Sequence, residues 1–263
     1  MNERLIGVDV EDLRLPMKEG IQRAAEMGFR AVELPAAAGE LAPRNLSASG
    51  RRHLARFVKD RGLSMAALTA EIAGTRLTDP CTVTERVERT CEIIDLAREL
   101  GAPIVTAAAG ALTRPESGEP SEACLAGLRG IGERADARGV LYAVRPSHDK
   151  PDRFRGLLDA LRCSSLRIGL DPAAIIMSGV SPVAYLERLV DQVVLIHARD
   201  ATAGLDDRPG CETVFGKGEV DFVAIVASLC GADYRGPYIA RRHDSQRPVD
   251  DLAAALSSLC QFL

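Results

Sequence analysis

Val193-Val194-Leu195-Ile196-His197-Ala198-Arg199-Asp200 is a short apolar run, rich in β-branched residues, that stops abruptly in His, Arg and Asp. A run of that length bounded by polar residues reads as a fully buried strand, and in a parallel barrel the functional groups sit where such strands end. Three further runs stop in the same way: Ala143-Val144 at Arg145, Ile168-Gly169-Leu170 at Asp171, and Tyr238-Ile239-Ala240 at Arg241. These four strand ends are the first candidates for a shared site.

Outward from them, short apolar runs alternate with longer segments of helical periodicity. Strands are expected over 5–10, 31–34, 65–70, 104–107, 141–144, 166–170, 193–196 and 237–240. Helices are expected over 17–27, 47–61, 82–100, 122–138, 152–161, 182–190, 221–230 and 248–262, with Ser47 or Ser49 as a start and Gly28, Gly62, Gly101 and Gly139 as stops. Eight strand-plus-helix units in strict alternation imply a parallel sheet, and eight is the number that closes a (β/α)8 TIM barrel. At 263 residues without a linker, 1–263 reads as one domain. A doubly wound open sheet is the alternative, but no GxGxxG or Walker loop follows the first strand.

Composition bounds the function. With 46% hydrophobic and 27% charged residues the chain is ordinary globular material, and a net charge of −4 gives no basic footprint for nucleic acid or an anionic membrane. Met1-Asn2-Glu3-Arg4 opens no signal-peptide run, and nothing approaches the roughly 20 apolar residues of a membrane span. A cytoplasmic protein is expected. Seven cysteines without a CxxC suit free thiols in a reducing compartment, with Cys91, Cys230 and Cys260 packed in the core.

Several motifs carry a family resemblance. Gly28-Phe29-Arg30-Ala31-Val32-Glu33-Leu34 resembles the "GFxxVEL" second strand of the sugar phosphate isomerase/epimerase family, the xylose isomerase-like TIM barrels that include endonuclease IV. Ala97-Arg98-Glu99-Leu100-Gly101-Ala102 is similar to that family's "LGA" helix end, and Ile196-His197-Ala198-Arg199-Asp200 to its "vHxxD". Phe215 to Phe222 resembles its "GxGxxDF", and Tyr234-Arg235-Gly236-Pro237-Tyr238-Ile239 its approach to the eighth strand. The likeness spans essentially the whole chain and implies a xylose isomerase-like barrel.

In that family a divalent metal is held by a Glu ending strand five, an Asp ending strand six, a His on strand seven and a Glu ending strand eight. The two Glu residues also move the proton beside the carbonyl. Carried over, the Asp is Asp171 and the His is His197, but both Glu positions read Arg145 and Arg241, and a further family His reads Ala174. Three carboxylates with a divalent ion sum to about −1, whereas two guanidiniums and one carboxylate sum to about +1. Arginine neither ligates a cation nor serves as a base. No metal, no cofactor and no family-type isomerisation are therefore expected.

Three readings of the arginine pair stand. Arg145 and Arg241 fill the vacated metal volume and pair with Asp171; or, with His197 and Arg199, they grip an anionic small molecule such as a sugar phosphate or carboxylate. In the third they stabilise an enolate in a metal-independent isomerase, epimerase or lyase, with His197 as proton carrier and Asp171 orienting it. Glu33 and Glu71 either face the barrel mouth or pair with the arginines. His148 follows strand five in a polar loop that reaches the site or is solvated. Arg242 should point away from the interior, Asp200 should hold the loop after strand seven, and 113–121 is the expected mobile loop. Some relatives dimerise through outer helices, so a homodimer is open; endonuclease activity would need more metal ligands and a basic face.

Overall fold

The computed structural model describes residues 4–108, 110–113, 117–146, 149–204 and 208–263. His148 and part of the 113–121 loop lie outside the described residues. Eight parallel strands close a barrel: β1 (Ile6–Asp9), β2 (Ala31–Pro35), β3 (Ser64–Thr69), β4 (Ile104–Ala108), β5 (Leu141–Arg145), β6 (Leu166–Leu170), β7 (Val193–Ala198) and, after a short hairpin of β8 (Asp200–Thr202) and β9 (Cys211–Thr213), β10 (Tyr238–Ala240). β10 closes the circle between β7 and β1.

Helices α1 (Met17–Met27), α2 (Ala48–Lys59), α3 (Val83–Leu100), α4 (Glu122–Arg138), α5 (Pro151–Leu161), α6 (Pro172–Met177), α7 (Pro182–Leu189), α8 (Phe222–Gly231) and α9 (Pro248–Phe262) pack around the outside. The expected punctuation holds locally: Ser47 caps α2 by accepting from the Gly50 amide, and Gly28 and Gly101 end α1 and α3 in left-handed conformations.

The barrel interior positions the site. Ala31, Ala66, Ala67, Ile104, Ala143, Leu195 and Ile239 form a small apolar cluster separate from the main core between sheet and helices. Side chains alternate along a strand, so residues two positions further on face the same interior, nearer the mouth. From Gly7, Ala31, Ala67, Ile104, Ala143, Gly169, Leu195 and Ile239 that step reaches Asp9, Glu33, Thr69, Thr106, Arg145, Asp171, His197 and Arg241. All eight are buried. An apolar floor thus carries a polar layer, one side chain from each barrel strand.

At β6 the floor residue is a glycine beside a large neighbour of the layer. A Cβ on Gly169 would sit 3.2 Å from Cγ of Arg145, so this glycine leaves room for the arginine stem. Gly7 is tighter, with Ala31 O and Ile239 Cδ1 both 2.8 Å from such a Cβ.

Three expectations need correction. Cys230 and Cys260 are exposed and Cys91 is only partly buried; the fully buried thiol is Cys124. Each residue turns about 100° around a helix, so Cys230 and Cys260, one step past the inward Leu229 and Leu259, leave the core stripe. The six-residue α6 was not expected; it is too short to show helical periodicity. Nor was the β8–β9 hairpin, whose three-residue strands are too short to show alternation.

Overpacking the floor should be felt. Gly7→Ala is expected to lower unfolding free energy by about 1–3 kcal/mol in urea titrations; an unchanged midpoint would show that the floor has slack.

Candidate functional site

The polar layer is a lattice of ion pairs. Arg145, at the end of β5, donates from Nη2 to Glu71 Oε1, and its Nη1 lies 3.9 Å from Asp171 Oδ2. Asp171 also accepts from Arg199 Nη1 at 2.8 Å, while its Oδ1 caps α6 through the Ala174 amide. Arg199 Nε then donates to Glu212 Oε1 at 2.9 Å. Across the mouth, Arg241 Nη2 stands 2.7 Å from Asp9 Oδ2 and its Nε 3.4 Å from Asp12 Oδ2. His243 Nδ1 meets the other Asp12 oxygen at 2.7 Å. Arg242 turns away from the interior as alternation requires, to Glu212 and Asp251.

Glu33, Thr106 and His197 form a second unit of the same layer. His197 Nε2 and Glu33 Oε2 are 2.7 Å apart, and Thr106 donates to the other Glu33 oxygen. Neither His197 nor Glu33 is accessible to solvent. Burial pulls the imidazole below its ordinary value against the raising effect of Glu33. Burial alone would raise the Glu33 carboxyl, but His197 and then Arg241 outweigh it and hold it at about 2. A neutral imidazole beside a carboxylate carries its proton on Nε2, which leaves Nδ1 a bare acceptor; that atom is buried and has no partner.

Charge is compensated in the same way at Asp171 and Arg241, but not at Asp9, whose carboxyl burial raises well above its ordinary value against the pull of Arg241. Burial opposes ionisation of Asp171, yet the Arg199 and Arg145 guanidiniums hold it well below the usual carboxylate range. Burial would lower Arg241, yet Asp9 and Asp12 raise it, so the guanidinium stays charged.

The structure brings together Arg145, Asp171, His197, Arg199, Arg241 and Glu33, all expected at the mouth. Their pairing differs from expectation in two respects: Glu33, not Asp171, orients His197, because Asp171 is committed to Arg199 and the α6 cap, and Arg241 pairs with Asp9 and Asp12, not with Asp171. Glu71 does pair with Arg145. Asp200 holds the loop after β7, accepting from the amides of Gly216, Gly218 and Val220. Asp9, Asp12 and Glu212 were missed. Asp9 ends β1 and obeys the same strand-end rule; Asp12 and Glu212 lie in connections with no periodic signal.

The family's four metal positions can be tested on this donor set. Two are guanidiniums without a lone pair to offer, Asp171 already serves two donors, and His197 Nε2 faces Glu33. Among the described residues no three His, Cys, Asp or Glu side chains converge as a metal site would require. The arrangement does not fit a divalent ion.

Residues 21–262 match the model of the xylose isomerase-like TIM barrel family, and the chain belongs to that family. Among solved structures, a xylose isomerase domain protein from Planctomyces limnophilus is 21% identical with a TM-score of 0.86, covering 98% of this chain and 97% of its own. A D-tagatose 3-epimerase-like protein is 18% identical, TM-score 0.80, covering 98% and 96%. The 3-keto-D-glucoside 4-epimerase of E. coli is 16% identical, TM-score 0.76, covering 98% and 100%. Identities this low carry the fold. No curated protein matches the chain.

The depressed Glu33 carboxyl makes a pH prediction. The unfolded chain takes up this proton first, so the stability it contributes is present above its ordinary value of 4.5 and lost as pH falls toward about 2. Glu33→Gln should flatten the stability curve across that window in chemical denaturation at stepped pH. An unaltered slope would mean Glu33 is not held ionised.

Proposed function

We propose that this chain keeps the sugar isomerase/epimerase barrel without the family's metal, and that its mouth binds an anionic small molecule, a sugar phosphate or carboxylate, through Arg145 and Arg241. The observation that carries this reading is that each guanidinium retains a donor without a partner, Nε of Arg145 and Nη1 of Arg241. Paired arginines with spare N–H groups are suited to bidentate recognition of an oxyanion.

Access runs past Glu71. Its side chain is 37% exposed and covers Arg145, whose own side chain is only 8% exposed. Glu71 therefore behaves as a built-in competitor, and an incoming anion takes its place on Arg145. Seven free thiols and the absence, among the described residues, of a helix long and apolar enough to cross a membrane are compatible with a cytoplasmic setting.

A second reading rests on the Glu33–His197 pair. An imidazole whose tautomer is held by a carboxylate, with its other nitrogen unpartnered, has the form of a general base in a metal-independent isomerase, epimerase or lyase. His197 is fully buried, so this chemistry requires a substrate that reaches into the buried layer. It would show as turnover that His197→Gln abolishes while the fold is retained.

Thermal shift against sugar phosphates and dicarboxylates tests the first reading. A ligand at 100 times its Kd should stabilise the protein by about 2.7 kcal/mol. Arg145→Glu should abolish that shift, and Glu71→Gln should lower the ligand concentration needed for it. Binding unaffected by Arg145→Glu would place the ligand elsewhere.

A further inference from the structure

One more arginine of the mouth stands outside the polar layer. Arg86, on α3, is 4% exposed; it donates from Nη1 to the Ile72 carbonyl at 3.2 Å and from Nη2 to the Ala108 carbonyl at 3.3 Å. Its Nε makes no well-formed hydrogen bond, although the Tyr142 hydroxyl lies beside the guanidinium, and among the described residues it makes no ion pair. Every other buried arginine of the mouth is matched by carboxylates. A buried charge without a counter-charge is costly, and two carbonyl dipoles compensate it only in part.

The neighbours do not supply the missing charge. Burial raises the Tyr142 hydroxyl against the pull of Arg86, so it stays neutral at ordinary pH. Of the acids described near the cavity, Glu71 is taken by Arg145 and the Ala108 amide, and Asp149 by the Leu112 and Thr113 amides and the Thr113 hydroxyl.

What Arg86 does face is a cavity of about 760 Å³ between the segments that follow β3 and β4. Gly74, Arg76, Thr78 and Ser121 also line it. Arg76 is exposed and adds a second positive charge. Ser121 caps the 17-residue α4, so the positive end of that helix opens at the same wall. Two guanidiniums and a helix N-terminus contribute roughly +2.5 charges and Glu71, which also lines the cavity, takes back about 1, so a net positive field is left to meet the −1.5 to −2 or so of a phosphate monoester at neutral pH. The volume falls in the range typical of small-molecule pockets.

We propose that this cavity is a phosphate-ester site in which Arg86 supplies the buried counter-charge and Arg76 and the α4 N-terminus complete the cradle. It adjoins the Arg145 region through Glu71 but uses none of its cations, so the two assignments stand or fall separately.

Titration of inorganic phosphate at constant ionic strength, followed by ³¹P NMR, tests it on the intact protein. Saturable binding is expected in the wild type, and at least about tenfold weaker binding in Arg86→Gln, the loss of a charge-assisted contact. Because Arg86 also joins two segments, Thr78→Glu provides a variant that leaves those bonds intact; its added carboxylate should weaken phosphate binding to a similar degree. Absence of saturable binding in the wild type, or full affinity in either Arg86→Gln or Thr78→Glu, would overturn the proposal. Loss in Arg145→Gln alone would also overturn it while supporting the anion grip at Arg145.

Discussion

A guanidinium taken into a barrel must bring its counter-charge with it. Arg145, Arg199 and Arg241 are each less than a tenth exposed, and each is seated against carboxylates from other strands or loops: Glu71 and Asp171, Asp171 and Glu212, Asp9 and Asp12. Removing one member of such a pair typically costs about 3–5 kcal/mol, because the charge left behind stays buried. The mouth is therefore a cooperative unit: Asp171 joins Arg145 to Arg199, and Glu212 joins Arg199 to Arg242 and, through the amides of His243 and Asp244, to the segment after β10. Connections that would otherwise be independent, after β1, β3, β7 and β10, are tied together by charge.

This lattice also constrains chemistry. A relative that places acids at the ends of strands five and eight gathers negative charge that a cation neutralises. Here the same two positions deliver positive charge, and carboxylates from neighbouring strands and loops, Asp9, Asp12 and Glu71, provide the balance. Among the described residues, the buried side-chain atoms without a hydrogen-bond partner are the donors Nε of Arg145, Nη1 of Arg241, Nη1 of Arg242 and Nε of Arg86, the acceptors Nδ1 of His197 and Oδ2 of Asp9, and the hydroxyls of Tyr142 and Thr213. Unpartnered donors look for an oxyanion. His197 is fully buried, so only a reacting group carried into the layer would meet its free nitrogen.

Much of this was legible in the chain. Strand ends at Arg145, Asp171, His197 and Arg241 were visible because buried parallel strands are short apolar runs and their polar termini stand out. The eightfold alternation announced closure into a barrel. The partners of those residues were not legible: Asp12 and Glu212 come from connections whose conformation depends on tertiary contact, and only the closed barrel shows that Glu33 reaches His197 across the interior. The thiols were misplaced for a related reason, since a weakly amphipathic helix such as α8 leaves the boundary of its inner stripe undefined to within one residue. Arg86 sits in the middle of an ordinary amphipathic helix and gives no local sign that it is buried.

The central claim is that inward guanidiniums exclude a cation from the place where relatives keep one. Titration of the purified protein with Mn²⁺, read by electron paramagnetic resonance, addresses it most directly. The account predicts that the free-ion signal rises in proportion to added metal from the first addition. One tightly held ion per chain, released by His197→Ala or Asp171→Asn, would contradict it.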